Sequence, residues 1–258
     1  MGLNIIVCIK SVVTDAPDGK VVRASETCEL NPFDRPAIET ALCLRDQTGG
    51  EVIALSMGPE SAALALYEAL SIGVDRAVLI TDPALAGSDT LATSTALGAA
   101  IKKLTPFDIV LFGARTSDSD TGQVGPQTAT LLDLPLVTGA YNTEYQDSKL
   151  KVERKIDEFI EEYEISLPCI LTIHPSAVSP RDASLMGIET SFEGGQLTRM
   201  NIADLGLSSS DVGEVGSPTK VISMRKIKKV RECSFIEGSI EEQADGLIRQ
   251  LKETGFLR

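Results

Sequence analysis

The segment Glu51–Asp82, "EVIALSMGPESAALALYEALSIGVDRAVLITD", contains one complete strand–helix–strand unit. Its first run, "EVIALSMG", lacks polar alternation, which is typical of a strand that is covered on both faces. Pro59 and Gly73 then mark the start and the end of a predicted helix, and "RAVLITD" predicts the next strand. Two strands joined by a helix of this length indicate a βαβ crossover and therefore a parallel sheet.

The same alternation of strands and helices continues on both sides of this unit. The strand "LNIIVCIK" and a helix in "NPFDRPAIETALCLRDQTGG" precede it, and the helix "SDTLATSTALGAAIKKL", the strand "FDIVLFG" and the helix "PQTATLLDL" follow. After Pro135, the segments "LPLVTGAYNTEY", "KLKVERKID" and "FIEEYEISLPCILTIHP" predict antiparallel strands because polar and apolar residues alternate in them. The fold class is therefore predicted to be α/β, with a parallel sheet and added antiparallel strands.

The last third of the chain has a different pattern. Residues from about 176 to 221 are rich in Ser, Gly, Pro and Asp without a sustained period, which predicts a loop or an extended arm. The tail "SIEEQADGLIRQLKETGFLR" predicts an amphipathic helix, with Ser239 as its N-cap and Glu242 three residues later.

The net charge of −13 disfavours non-specific binding to nucleic acid or to an anionic membrane. One local exception, "MRKIKKVRE" at residues 224–232, is interpreted as a solvated strand face, with a patch for an acidic partner as the alternative. We expect no membrane insertion because no apolar run approaches the roughly 20 residues that span a bilayer.

The cysteines and the histidine also restrict the function. The five cysteines are odd in number, widely spaced and without a CxxC motif, which favours a reducing cytoplasm. His174 is the single histidine and no cysteine or carboxylate motif accompanies it, so we expect no metal site.

Polar and small residues gather where the predicted strands end, at residues 8–10, 56–59, 82–90 and 113–126. Because the carboxyl ends of parallel strands meet at one edge of the sheet, we expect a ligand site at that edge. The last of these segments, "GARTSDSDTGQVGP", leads into a helix whose first amides can cradle a phosphate. Neither a Walker A sequence nor a GxGxxG motif is present, and loops that only cap helices remain the alternative.

A set of short segments in a fixed order also carries a family resemblance. They are "NIIVCIK", "NPFDRPAIETALCL", "ALSMGP", "EALSIGVDRAVLITD", "GSDTLATS", "SDSDTGQVGP", "KLKVERKID", "SLPCILTI" and "PRDASLMGI". In this order they resemble the beta subunit of electron transfer flavoprotein over nearly the full chain. The resemblance implies a Rossmann-like, adenine-nucleotide-hydrolase-like α/β domain over residues 1–190. It implies further that residues 191–258 form a C-terminal arm and terminal helix that contact an alpha subunit.

The resemblance also implies the nucleotide site. In one branch of the family the pocket of this subunit holds AMP, and in the electron-bifurcating branch it holds FAD. Of the carried-over residues, Asp120, Thr121, Gln123 and Val124 are expected to hold phosphate and ribityl groups. The cofactor-binding residues carried over by motif are Cys8, Asn31, Phe33, Asp34, Met57, Gly113, Asp118, Asp120, Thr121, Gly122, Gln123, Val124 and Gly125.

Two features favour the FAD-holding branch. The hydroxyls of Thr90, Thr93 and Ser94 resemble those that flavin-binding members use, and the loop "SDSDTGQVGP" resembles the loop of the bifurcating form. The resulting hypothesis is an FAD that takes hydride from NADH and divides the electrons between a partner dehydrogenase and a low-potential acceptor such as ferredoxin. We expect no catalytic acid or base from this chain. An AMP-binding electron carrier and a stand-alone nucleotide-sensing regulator are the alternatives.

The segment "HPSAVSPRDASLMGI" places an apolar residue, Leu185, in a polar loop. By resemblance this is the loop that docks a flavin-dependent dehydrogenase, with Leu185 as the anchoring residue. The alternative is that Leu185 folds back onto its own domain.

Overall fold

The computed structural model describes residues 2–14, 23–146, 149–193, 195–222 and 233–257, and within these residues the strands form one large and one small sheet. Nine strands make the large sheet in the order β11-β5-β4-β1-β6-β10-β7-β8-β9, and β2 pairs with β3 in the small one, by the bounds that follow. The strands are β1 (Leu3–Cys8), β2 (Ser11–Val13), β3 (Cys28–Leu30), β4 (Gly50–Met57), β5 (Arg76–Ile80), β6 (Ile109–Gly113), β7 (Leu136–Gln146), β8 (Lys149–Ile156), β9 (Phe159–Ile165), β10 (Cys169–Ile173) and β11 (Leu197–Met200).

The large sheet is parallel from β11 to β7, and its last two pairings, β7 with β8 and β8 with β9, are antiparallel. The predicted α/β fold with a parallel sheet is confirmed. The chain passes from β1 to β4 on one side of β1, and after β5 it returns to β6 on the other side. This change of direction is a topological switch point, the place where open α/β sheets bind their ligands.

Helices cover both faces of the parallel part of the sheet. Alternate residues of β1 point to opposite layers: Ile5 and Val7 pack with buried residues of the first two helices, and Ile6 and Cys8 pack with those of the next two. The helices are α1 (Arg35–Thr48), α2 (Ala63–Ile72), α3 (Thr90–Lys103), α4 (Val124–Leu132), α5 (Leu185–Phe192), α6 (Gly213–Gly216) and α7 (Ile240–Glu253).

One predicted strand runs in the other direction. Residues 136–146, 149–156 and 159–165 do pair as antiparallel strands, but β10 lies in parallel between β6 and β7. The prediction was wrong there because "FIEEYEISLPCILTIHP" was interpreted as one strand. It contains two, and the second, Cys169–Ile173, is buried at every position, as a central parallel strand should be.

The segment from 176 to 221 is more ordered than its composition predicts. It contains α5, the edge strand β11 and the single turn of α6. These elements have eight, four and four residues, so none is long enough to show a period in the sequence. The small sheet of β2 and β3 was also not predicted.

The chain divides into two compact units, Met1–Met224 and Arg225–Arg258. In this division β11, which pairs with β5, belongs to the first unit. The predicted domain boundary after residue 190 stays a prediction. In the second unit α7 begins as predicted, with a capping box between Ser239 and Glu242. The basic run at 224–232 lies outside the described residues. The predicted contact of residues 191–258 with an alpha subunit stays a prediction.

Candidate functional site

Three neighbouring strands end together at the switch point, at Cys8 of β1, Met57 of β4 and Gly113 of β6. Gly113 lies so close to the turn before α1 that a Cβ atom there would overlap the Asp34 carboxylate and lie 2.6 Å from the carbonyl oxygen of Phe33. Only glycine therefore allows this turn to approach the end of β6. The structure thus brings the predicted residues Cys8, Phe33, Asp34, Met57 and Gly113 to one place.

Asn31 joins the turn before α1 to the loop after β6. Its side chain is fully buried, and its Nδ2 donates to the carbonyl oxygen of Arg115 at 2.9 Å. Its Oδ1 accepts from the amide of Ser117 at 3.2 Å, and its own amide donates to the carbonyl oxygen of Lys10 at 2.9 Å. The side-chain amide is thus engaged with the protein backbone, and a direct contact of Asn31 with a nucleotide stays a prediction.

Asp34 is a buried carboxylate below the same turn. Its Oδ2 accepts from the amide of Lys10 at 2.7 Å. Burial raises the pKa of Asp34 to about 7, although hydrogen bonds from the Lys10 backbone and the Asn31 side chain and the charge of Lys10 act in the opposite direction. Burial, and then the negative charge of Asp34, also raise the pKa of the Cys8 thiol well above its usual value. Cys8 is therefore an un-ionised, packed thiol, and Asp34 changes its charge near neutral pH.

The pKa of Asp118 is shifted in the opposite direction to that of Asp34. Its side chain is only 11% exposed, and its Oδ1 accepts from Lys10 Nζ at 2.7 Å and from Ser119 Oγ at 3.0 Å. Its Oδ2 accepts from the amide of Val13 at 3.5 Å, and the Arg23 guanidinium lies 4.0 Å away. Burial opposes ionisation, but the hydrogen bond and the charge of Lys10 outweigh it and lower the pKa of Asp118. The ionised carboxylate therefore holds the loop after β6 against the end of β1.

The rest of this loop is open and turns sharply into α4. Residues 119–123 are exposed, and Asp120 (φ 53°) and Gly122 (φ 61°) adopt left-handed conformations. The Asp120 amide donates to the carbonyl oxygen of Thr116 at 2.8 Å, which closes the turn. Aspartate and glycine are residues that tolerate this backbone region.

The N-terminus of α4 has no side-chain cap. Its N-cap residue, Gln123, makes no capping hydrogen bond, so the first amides of the helix keep their donors for another acceptor. A Cβ atom on Gly125 would lie 2.9 Å from Thr172 Cγ2 and 3.2 Å from Phe112 Cγ, so this glycine packs the helix start against β10 and β6. Uncapped amides at the start of a nine-residue helix, beside an exposed loop, fit a phosphate group.

The hydroxyl residues of α3 occupy different environments. Thr90 and Thr93 are half-buried in the first turn of the helix, which Asp89 caps through the amides of Leu91 and Ala92. Ser94 is fully buried; its Oγ lies 2.7 Å from the carbonyl oxygen of Thr90 and 3.2 Å from that of Val124. Ser94 thus joins α3 to the start of α4, and its direct contact with a nucleotide stays a prediction.

Two cations of this region lie within the predicted strand-end segments 8–10 and 113–126 but were not singled out as site residues. Lys10 lies two residues after β1 and holds Asp118, and Arg115 lies two residues after β6. The guanidinium of Arg115 is 4.7 Å from the centroid of the Phe33 ring and 3.3 Å from Asp120 Oδ1. The available signal was charge balance, since an acidic loop that follows a strand needs cations beside it.

The predicted docking residue lies away from these strand ends. Leu185 is the first residue of α5 and is 89% exposed, and Met186 beside it is 75% exposed. Ser184 caps the helix by accepting from the Gly187 amide at 2.9 Å. Phe192 at the other end stacks on Tyr67 of α2, with ring centroids 4.8 Å apart. The helix is therefore packed on α2 while its first two apolar side chains point to solvent.

Comparison with known proteins gives the class of this fold and site. The electron transfer flavoprotein domain family matches residues 18–194, which is more than half of the chain. The chain therefore belongs to the electron transfer flavoprotein family.

Its relatives place it among the beta subunits of that family. It is 38% identical to the electron transfer flavoprotein subunit beta of Thermoanaerobacterium thermosaccharolyticum, over 96% of this chain and 98% of that protein. It is 38% identical to the caffeyl-CoA reductase-Etf complex subunit CarD of Acetobacterium woodii, over 97% of this chain and 98% of that protein. It is 35% identical to the acryloyl-CoA reductase electron transfer subunit gamma of Anaerotignum propionicum, over 97% of this chain and 98% of that protein.

Within the part of the chain that the structure describes, no helix combines the length and the apolar character that a membrane span requires.

Proposed function

We propose that this beta subunit holds FAD at the switch point of its sheet and works in an electron-bifurcating heterodimer with an alpha subunit. The observation that carries the proposal is the uncapped start of α4, placed beside the exposed loop 119–123 and joined through Ser94 to the hydroxyl-bearing first turn of α3. When bound, FAD supplies the chemistry: it accepts hydride from NADH and passes the two electrons on separately.

The chain's own residues bind and orient the nucleotide. The amides at the start of α4, with Val124 and Gly125, suit the pyrophosphate, and the hydroxyl of Thr121 can donate to it as well. The carboxylate of Asp120 only accepts hydrogen bonds, so it suits a sugar or ribityl hydroxyl and not a phosphate oxygen. For the same reason the ionised Asp118, already surrounded by donors, serves by holding the loop in place.

The half-buried hydroxyls of Thr90 and Thr93 favour FAD over AMP in this proposal. They lie at the end of α3 that is joined to the phosphate-binding helix, where the half of FAD beyond the pyrophosphate needs polar neighbours. The AMP-holding carrier is the second candidate, because the α4 N-terminus suits a single phosphate equally well.

The relatives support a partner class. One belongs to a caffeyl-CoA reductase-Etf complex and another is the electron transfer subunit of an acryloyl-CoA reductase. We therefore propose an enoyl-CoA reductase as the flavin-dependent dehydrogenase that docks through Leu185 of α5. The low-potential acceptor is a ferredoxin, and the cytoplasmic location rests on the five unpaired cysteines.

A coupled assay tests this function. The heterodimer is mixed anaerobically with NADH, ferredoxin and the partner reductase, with and without the enoyl-CoA substrate of that reductase. Bifurcation predicts that ferredoxin is reduced only when the enoyl-CoA is present, because one electron must go to each acceptor. Reduction of the partner alone, with ferredoxin unchanged under both conditions, would mean that the subunit serves a simple electron carrier.

A further inference from the structure

Arg115 lies between the two parts of the nucleotide site that the sequence reasoning identified separately. Its guanidinium is 4.7 Å from the ring centroid of Phe33, which belongs to the turn before α1, and 3.3 Å from Oδ1 of Asp120, which belongs to the loop before α4. Its carbonyl oxygen is fixed by Asn31 Nδ2 at 2.9 Å. The backbone of Arg115 is therefore anchored, and its cation lies beside the loop that leads to the uncapped helix.

Among the residues that the structure describes, two other cations near this loop already contact Asp118. Lys10 Nζ lies 2.7 Å from Asp118 Oδ1 and 3.1 Å from Ser119 Oγ, and the guanidinium of Arg23 lies 4.0 Å from the other oxygen of Asp118. The side chain of Asp118 is only 11% exposed, and those of Lys10 and Arg23 are 29% and 40% exposed, so both cations are less exposed than Arg115.

The ion pair between Arg115 and Asp120 is more exposed to solvent than these contacts. The side chains of Arg115 and Asp120 are 50% and 66% exposed, and an exposed pair of this sort contributes little stability. Arg115 can therefore leave Asp120 for a more highly charged acceptor at small cost.

We propose that Arg115 is the residue that neutralises the phosphate of the bound nucleotide, an assignment that rests on the nucleotide site of the proposed function. A planar guanidinium can donate two hydrogen bonds to one phosphate group, and the Phe33 ring 4.7 Å away gives the Arg115 cation a favourable neighbour. On binding, the guanidinium exchanges Asp120 for phosphate oxygens, and the Asp120 carboxylate becomes available to accept from a sugar hydroxyl.

The test uses the nucleotide-depleted heterodimer and two probes that differ by one phosphate, AMP and adenosine. Arg115→Gln is expected to weaken AMP binding about tenfold or more, the usual effect of losing a hydrogen bond to a charged group, and to leave adenosine binding unchanged. Arg115→Lys, which keeps the charge, is expected to recover part of the AMP affinity. Arg76→Gln is the matched control because Arg76 is 49% exposed, pairs with Glu51 and lies at the opposite edge of the sheet.

The outcomes separate the assignment from the proposed function. An equal loss for AMP and adenosine in Arg115→Gln, or no loss for AMP, overturns the assignment, as does a failure of Arg115→Lys to recover any affinity. If the unsubstituted heterodimer binds neither AMP nor FAD in this subunit, the proposed nucleotide site itself is wrong and the assignment falls with it. If the heterodimer as purified holds AMP in place of FAD, only the FAD part of the proposed function is contradicted, and the AMP and adenosine affinities still decide the role of Arg115.

Discussion

At the scale of single residues, two acidic side chains of the site have pKa shifts in opposite directions. Asp34 lies fully enclosed beneath the turn before α1, where burial favours its neutral form. Asp118 is also largely enclosed, but Lys10 keeps it ionised. One residue, Lys10, contacts both: its amide donates to Asp34 and its ammonium group to Asp118. The end of β1 is thus the point from which both loops are held.

The raised pKa of Asp34 predicts a pH-dependent stability. Its folded-state pKa of about 7 lies above the usual 3.8, so the native state binds this proton more tightly than the unfolded state does. The free energy of unfolding should therefore fall as the pH rises from about 4 to about 7 and stay low above that. Asp34→Asn removes this contribution. Between pH 5 and pH 8 the free energy of unfolding of the substituted protein should therefore fall by about 2–3 kcal/mol less than that of the original protein.

Urea unfolding of the heterodimer at several pH values between 5 and 8, followed by circular dichroism, measures this difference. Identical pH dependence in the two proteins would show that Asp34 is ionised throughout the range.

Replacement of Asp118 should weaken nucleotide binding although, in the proposed function, Asp118 holds the loop and does not itself contact the nucleotide. Asp118→Ala releases Lys10 and the Val13 amide and lets the loop leave the end of β1, so we expect nucleotide affinity to fall roughly tenfold. Asp75→Ala is the control, since Asp75 accepts from Arg45 and from the Val52 amide at the opposite edge of the sheet. The measurement is the dissociation constant for AMP in both variants, and equal affinities would contradict the positioning role.

The sequence predicted where these residues lie in the fold but not which residues they contact. Cys8, Met57 and Gly113 follow from strand ends alone, because parallel strands bring their carboxyl ends together. The long-range partners of Asn31 and Asp118 are 84 to 108 residues away along the chain, and no local pattern encodes such pairings. The contact of Lys10 with Asp118 was not predicted for the same reason.

At the scale of elements, α5 presents its exposed leucine from a fixed position. Gly187 allows the helix to approach α2 so closely that a Cβ atom would overlap the carbonyl oxygen of Ser71. The Arg181 guanidinium and amide hold the segment before the helix by donating to the buried Glu39 carboxylate at 2.9 and 3.0 Å. These contacts restrict the helix that carries Leu185, which suits a docking element that must not reorganise when the partner binds.

Substitution of Gly187 tests the importance of this close approach. Gly187→Ala should displace α5 from α2 and slow electron exchange with the partner reductase several-fold, while the nucleotide content stays unchanged. Gly98→Ala in α3 is the matched control, because its Cβ would meet Leu132 at an ordinary 3.7 Å. If both variants exchange electrons at the original rate, the position of α5 does not matter for docking.

The long helices were predictable from their period, and the short elements after residue 176 were not. The helices α1, α3 and α7 have 14 residues each, enough for the helical period to be visible. The strand β11 has only four residues, and its place depends on hydrogen bonds to β5, more than 100 residues earlier in the chain. The direction of β10 was mispredicted because sequence alternation does not tell which neighbours a strand will have.

At the scale of the whole molecule, the residues proposed to hold the nucleotide lie at the switch point of the sheet, and α5, which carries the proposed docking residue Leu185, lies elsewhere on the same compact unit. In the proposed function the first region holds the nucleotide and the second contacts the partner protein.

The identity of the bound nucleotide tests the central claim most directly. The heterodimer is purified with its alpha subunit, its nucleotides are released by denaturation, and FAD and AMP are counted per heterodimer by chromatography. The FAD-holding, bifurcating assignment predicts two FAD and no AMP. One FAD and one AMP per heterodimer would contradict it and identify the subunit as part of an AMP-holding electron carrier.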